Sequence, residues 1–238
     1  MSKLTIGSKK WNQFVIHGAK AMGIQIDPEK ADQLAVHCNE LTQWNQKFNL
    51  TAITEPIEVA VKHVLDSIAP APFIPSGASV LDIGSGGGFP GIPLKIIMPS
   101  ISVTLIDASR KKVSFLKHVI RYLELKKIEA RHTRTEDLIA HQKYANAFQV
   151  VICRSFSPLD VFVLNAIPFI SEKGVMIALK GKNVTEELAL LHSISRKAKE
   201  KNDFNLDNYS LNIRSYALPH SEIQRSMMIL KQNPGISS

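Results

Sequence analysis

The sequence is short of cysteine, of long apolar runs and of acidic residues, and each shortage removes a class of protein. Cys38 and Cys153 are its two cysteines, too few for a disulfide scaffold and without Cys-x-x-Cys spacing. None of the eight histidines stands at zinc-ligand spacing from a cysteine or a second histidine. Apolar runs are brief, as in Val150-Val151-Ile152-Cys153, so no segment reaches the length that spans a bilayer. Met1 to Asn12 lacks the apolar stretch of a signal peptide. No Gly-X-Y repeat, heptad, internal repeat or low-complexity tract is visible. The expectation is a cytoplasmic protein with no membrane, no metal and no obligate protein partner.

What is present is core-forming material: 238 residues, 45% apolar and 21% charged, enough for one large domain or a domain with a small appendage. Acidic residues number 21 against 29 basic ones, a formal charge of +8. Residues 1–75 hold seven of each sign, so the whole excess lies in 76–238. Between 110 and 127 seven basic groups face one acid, Glu124. A run of this kind is either a solvated helix face or the footprint of a polyanionic partner.

Periodicity divides the chain near residue 75. Before it the spacing predicts helices: Ser8 to Met22 with a Trp11, Phe14, Val15 and Ala19 stripe, a second begun by Asp27-Pro28, and a third from Pro56 to Ile68. Trp44 and Phe48 fall on the apolar stripe of the second helix and are expected in the core. Pro70, Pro72, Pro75 and Gly77 read as a linker. The domains expected are thus a helical appendage, 1–75, and a main domain, 76–238. In the latter, strands at Ser79–Ile83, Val103–Asp107, Ile128–His132, Phe148–Arg154 and Val175–Lys180 alternate with helices at 90–98, 109–125, 135–142, 158–170 and 184–200. That rhythm predicts an α/β, Rossmann-like, mostly parallel sheet with helices on both faces. Tyr209–Ala217 and Ser226–Lys231 have no helix between them and are expected as an antiparallel pair.

The first strand runs into Gly84-Ser85-Gly86-Gly87-Gly88-Phe89-Pro90-Gly91, a glycine-rich turn at the carboxyl end of a strand, where open α/β sheets bind ligands. The second strand ends in Asp107, placed to accept hydrogen bonds from both ribose hydroxyls of a nucleoside. A dinucleotide fingerprint is broken by Phe89 where its third glycine belongs, and no ATP-type Gly-Lys-Ser/Thr loop exists. Asp82-x-Gly84-x-Gly86-x-Gly88 looks like motif I of S-adenosylmethionine (SAM) dependent methyltransferases.

Several stretches together resemble the bacterial small-subunit (16S) ribosomal RNA guanine-N(7) methyltransferase family, RsmG (GidB). They are Trp44-Asn45 with Asn49-Leu50-Thr51-Ala52-Ile53, His63 to Ser67, Asp82 to Pro93, Lys111-Lys112, Phe115-Leu116, Thr135-Glu136, Arg154, Leu179-Lys180-Gly181 and Arg225. The family's Ser-Arg-Ala after the fourth strand is here Cys153-Arg154-Ser155. The resemblance implies SAM as cofactor, small-subunit ribosomal RNA as partner, free or in the particle, and SAM contacts at Gly84, Phe89, Thr135, Glu136 and Arg154. Gly86, in the turn, and Asp107 join them on physical grounds. Phe89 has two readings: packing the turn against the N-terminal helices, or stacking near the cofactor.

Guanine nitrogen 7 has an in-plane lone pair and no proton, so its methylation needs no acid or base, only alignment and exclusion of water. No catalytic acid or base is therefore expected. A His63–Asp66 pair on one helix face would be structural. Phosphate contacts are expected from Arg110, Lys111, Lys112, Lys117 and Arg121, with Lys180 and Arg225 as further candidates. Lys180 reads equally as a snorkelling strand-end lysine and Arg225 as an edge charge. The rival readings are a small-molecule SAM methyltransferase and a non-enzymatic RNA-binding or assembly protein that kept the fold.

Overall fold

In the computed structural model, which describes residues 4–155, 157–182, 184–199 and 204–233, local signals set the first helices. Helix α1 (Lys9–Ala21) is capped by the Ser8 hydroxyl, which accepts the Trp11 N–H, and buries Trp11, Val15 and Ala19. Helix α2 (Pro28–Phe48) is capped by Asp27 and ends where Asn49 turns left-handed at φ 49°. A third helix, α3, begins at Pro56–Glu58, widens into a π-helical stretch at Val59–Leu65 and closes at Asp66–Ile68. The wide turns bury Val59, Ala60, Val61, His63, Val64 and Leu65, placing His63 among buried neighbours. Pro70 to Gly77 carries one 3-10 turn, Ala71–Phe73.

Beyond it run β1 (Ser79–Ile83), α4 (Gly91–Ile97), β2 (Ser102–Asp107), α5 (Arg110–Tyr122), β3 (Ile128–His132), α6 (Thr135–Ile139), β4 (Phe148–Arg154), α7 (Leu159–Ala166), β5 (Ile170–Lys180), α8 (Thr185–Lys199), β6 (Tyr209–Ala217) and β7 (Gln224–Gln232). The sheet order is β3-β2-β1-β4-β5-β7-β6; the first five strands are parallel, and β7 lies antiparallel between β5 and β6. This is the expected Rossmann-like sheet with its antiparallel pair. Strand β5 starts at Ile170, earlier than expected, because its polar first residues Ser171, Glu172 and Lys173 cross a register shift opposite Phe148/Val150 and hide the strand's pattern. The sequence-based helix limit at residue 200 lies outside the described residues.

Alternation along the strands splits the core in two. Val80, Val103, Leu105, Val150, Ile152 and Ile177 face the layer that holds α1 to α5, and the N-terminal helices share one continuous apolar core with that face. Leu81, Ile83, Ile106, Val151, Cys153 and Met176 face Leu138 of α6, Phe162 of α7 and Leu191 of α8. Trp44 packs against the first core, whereas Phe48, expected in the core, sits at the last residue of α2, 37% exposed beneath Lys111. At Gly91 a Cβ would stand 2.3 Å from Leu105 Cδ2 and 2.7 Å from Asp82 Oδ2, so glycine alone lets α4 start against the sheet. Strand order reverses beside β1, which opens a crevice at its carboxyl end. Among the described residues no helix is long and apolar enough to cross a membrane.

Candidate active site

The glycine turn folds around two anchors. Gly84 and Ser85 donate N–H groups to the Ile106 carbonyl at 2.9 and 3.0 Å, tying the turn to β2. Below it, Asp82 is fully buried and accepts the Gly91 N–H at 2.9 Å; burial pushes its carboxyl up to about 7. At the end of β2, Asp107 accepts the Gly86 N–H at 3.0 Å and the Ser109 N–H at 2.8 Å, with Lys112 at 3.9 Å. Its carboxylate is thereby fixed in position without a conformational search.

Two clefts meet at Gly84. One, of about 210 Å³, is lined by Ile83, Gly84, Asp107, Ala108, Thr135 and Glu136 among others. The other, of about 220 Å³, is bounded by Thr51, His63, Gly84, Gly86, Phe89, Lys112 and Arg154. The seven residues marked from sequence for the cofactor, Gly84, Gly86, Phe89, Asp107, Thr135, Glu136 and Arg154, therefore all converge here. Thr135 is buried and donates to Asn165 Oδ1 at 3.1 Å.

The wall of the second cleft is a stacked column. Phe89 lies 4.5 Å from the His63 ring at an interplanar angle of 9° and 4.7 Å from the His37 ring, and the Arg154 guanidinium sits 4.9 Å over it. Both readings of Phe89 meet in this geometry: it joins the turn to α2 and α3, and its ring borders the cleft. Burial holds both histidines uncharged at neutral pH, His37 down at about 4 and His63, beside the Arg154 charge, at about 3.

Arg154 is a hub. Its Nη1 donates to the Lys62 carbonyl at 2.6 Å and to Asp66 Oδ2 at 3.5 Å, and its Nη2 to His63 Nδ1 at 3.0 Å. The His63–Asp66 pair read from helical spacing is not formed, because the π-helical widening turns both toward Arg154 instead. Asp66 further receives the Tyr216 hydroxyl at 2.8 Å and Arg225 Nε at 3.7 Å. Tyr216 was missed in the sequence, where nothing links the last hairpin to α3.

The basic candidates separate. Arg110, Lys111, Lys117 and Arg121 are exposed on α5, and Lys112 reaches the second cleft. Lys117 and Arg121 also line an open groove of about 990 Å³ between α5 and the β3 edge, away from the glycine turn. Lys180 is largely buried, its side chain 8% exposed, and its ammonium donates to the Ser157 carbonyl at 2.5 Å and to Glu187 at 2.6 Å, the strand-end packing that was one of its two readings. Arg225 is committed to Asp66 rather than standing as a free edge charge. Among the described residues no cluster of histidine, cysteine and carboxylate side chains is arranged to hold a metal ion.

A mostly parallel sheet with an antiparallel β7, a glycine turn at its reversal point and a fixed acid ending β2 defines a Rossmann-like fold whose ligand crevice lies at the carboxyl ends of its strands. The sheet superposes on a SAM dependent methyltransferase from Aquifex aeolicus with a TM-score of 0.53 at 13% identity, covering 82% of this chain and 98% of that one. It superposes on M. jannaschii TYW2 in complex with AdoMet with a TM-score of 0.51 at 14% identity, covering 70% and 73%. Residues 30–210 match the family GidB, rRNA small subunit methyltransferase G, and the chain belongs to that family. Ribosomal RNA small subunit methyltransferase G of Geobacter sp. (strain M21) is 38% identical over 216 residues, covering 91% of this chain and 95% of the relative. Its counterpart in Oceanobacillus iheyensis is 34% identical over 225 residues, covering 94% and 91%.

Proposed function

We propose that this chain transfers the methyl group of SAM to nitrogen 7 of a guanine in small-subunit ribosomal RNA, in the cytoplasm. The observation that carries the reading is the meeting of two clefts at Gly84, one bearing Asp107 and Glu136 for a nucleoside and the other bearing Phe89 and Arg154 beside it. The cofactor fits these residues: a Cβ at Gly86 would meet nothing nearer than the Gly84 carbonyl at 3.8 Å, so the turn faces open space. Asp107 would hold the ribose hydroxyls, Thr135 and Glu136 the base end, and Gly84, Gly86, Phe89 and Arg154 the remainder. When bound, SAM would supply an electrophilic methyl carbon on a sulfonium to the lone pair of nitrogen 7. The chain's own task is to orient the base and to exclude water. His63 moves no proton, since both ring nitrogens are engaged, by Thr51 and by Arg154.

Asp107→Ala weakens SAM binding by about 1–3 kcal/mol, read by calorimetry, because the ribose hydroxyls lose a charged acceptor; an unchanged dissociation constant removes Asp107 from the site. Lys111→Ala with Lys112→Ala lowers the slope of log binding constant against log salt for small-subunit RNA by about 1.5, as two phosphate contacts require. An unaltered slope moves the phosphate grip off this end of α5.

The deciding assay incubates the protein with radiolabelled SAM and either naked small-subunit RNA or intact small subunits from cells lacking the gene. Label recovered as 7-methylguanosine is the expected result. SAM binding without label in either RNA overturns the reading in favour of a different acceptor.

A further inference from the structure

The hydrogen bonds on the wall of the second cleft run in one direction. A guanidinium has only N–H donors, so Arg154 donates to His63 Nδ1 at 3.0 Å. Nδ1 thus presents a lone pair, and the neutral imidazole carries its proton on Nε2. Nε2–H donates to Thr51 Oγ1 at 2.8 Å. The Ile53 N–H donates to the same oxygen at 3.0 Å. A hydroxyl oxygen has two lone pairs and both are taken, so what Thr51 can still offer is its O–H. Its position is held as well: Asn45 accepts the Thr51 N–H at 2.8 Å and donates to the Thr51 carbonyl at 2.9 Å. Thr51 borders the cleft together with Gly84, Phe89 and Arg154.

We propose that Thr51 determines base specificity, donating its hydroxyl proton to the acceptor oxygen next to the nitrogen that is methylated. The proposal rests on the guanine reading above. On the edge that exposes nitrogen 7, guanine shows the O6 acceptor and adenine the N6 amino donor. Adenine nitrogen 7 has the same free lone pair, so the reaction's chemistry alone does not separate the two bases. A hydroxyl ordinarily plays either role and would accept from adenine's amino group. The relay from Arg154 through His63 fills the oxygen's lone pairs and leaves a donor only, which satisfies guanine and faces adenine donor to donor. Thr51 binds and orients; no bond to it forms or breaks.

The test uses small subunits from cells lacking the gene, carrying either the mapped target guanine or adenine in its place. They are incubated with labelled SAM and the wild-type protein, Thr51→Ser or Thr51→Val. Wild type labels the guanine subunits and not the adenine ones. Thr51→Ser keeps the O–H and stays within about threefold of wild type, whereas Thr51→Val loses about 10–100-fold in kcat/KM with its SAM dissociation constant unchanged. Native activity in Thr51→Val overturns the proposal, and so does a folded Thr51→Ser that fails as badly as valine. Loss of SAM binding in Thr51→Val assigns the residue to the cofactor and overturns it too. If Thr51→Val does not fold, wild type and Thr51→Ser still decide, since equal label on adenine subunits overturns it. Wild-type protein that binds SAM and labels no guanine overturns the function above and this inference together, a pattern distinct from failure of Thr51 alone.

Discussion

Gly86→Val abolishes SAM binding while the protein stays folded. Gly86 sits at φ +57°, with the Gly84 carbonyl oxygen 3.8 Å from where a Cβ would lie and nothing else within 4 Å. The protein's own atoms therefore leave room for the side chain, and Gly86 lines the second cleft, whose space the side chain would enter. Two effects add. A β-branched residue in the left-handed region costs about 1–3 kcal/mol of strain, which shifts the turn and with it the Gly86 N–H held by Asp107 at 3.0 Å. The branched side chain also occupies the cofactor's path along the turn. The expected dissociation constant rises more than about 100-fold, as overpacking of a fitted site requires, with only a modest fall in melting temperature. Near-native SAM affinity in a folded Gly86→Val protein would remove the turn from the binding site.

Arg154→Met produces the largest loss of stability among the site variants. Its side chain is 12% exposed, and its guanidinium joins the Lys62 carbonyl, the His63 ring, the Asp66 carboxylate and the face of Phe89. Breaking one side of a buried ion pair costs about 3–5 kcal/mol, because the remaining charge loses its compensation. Asp66 keeps Tyr216 and Arg225, which places the expected loss at the lower end of that range. Methyl transfer fails as well, since the column of Phe89 and His63 loses the group that holds it against the cleft. Arg154→Lys falls between, because one ammonium cannot span three acceptors that a planar fork reaches. Denaturant midpoints and turnover on small subunits read the two effects separately; a methionine variant with native midpoint and native turnover would dissolve the hub.

The layout of the main sheet was legible because its signals are local. Strand β1 with its glycine turn, β3, β4 and β6 have the limits their alternation predicts, and Asp27-Pro28 starts α2 where capping chemistry puts it. The start of β5 was hidden by polar residues at a register shift, and no local pattern betrays such a residue. The site divides in the same way. Gly84, Gly86 and Asp107 were readable because loop and strand ends carry them in a recognised order. Thr135, Glu136 and Arg154 came from resemblance. Which of its two readings Lys180 follows was not legible, because a strand-end lysine looks the same in sequence whether it meets solvent or, as here, Glu187 at 2.6 Å.

By itself the sequence determined the strand–helix alternation, the glycine turn and the acid that ends β2, all of which depend on residues near one another along the chain. The tertiary structure alone decided that Tyr216 and Arg225 reach Asp66, that α3 widens to turn His63 toward Arg154, and that Asn45, Ile53 and His63 together fix the role of Thr51. The longest of those contacts, Arg225 to Asp66, joins residues 159 positions apart, and only burial against the sheet sets which polar groups must pair once water is excluded.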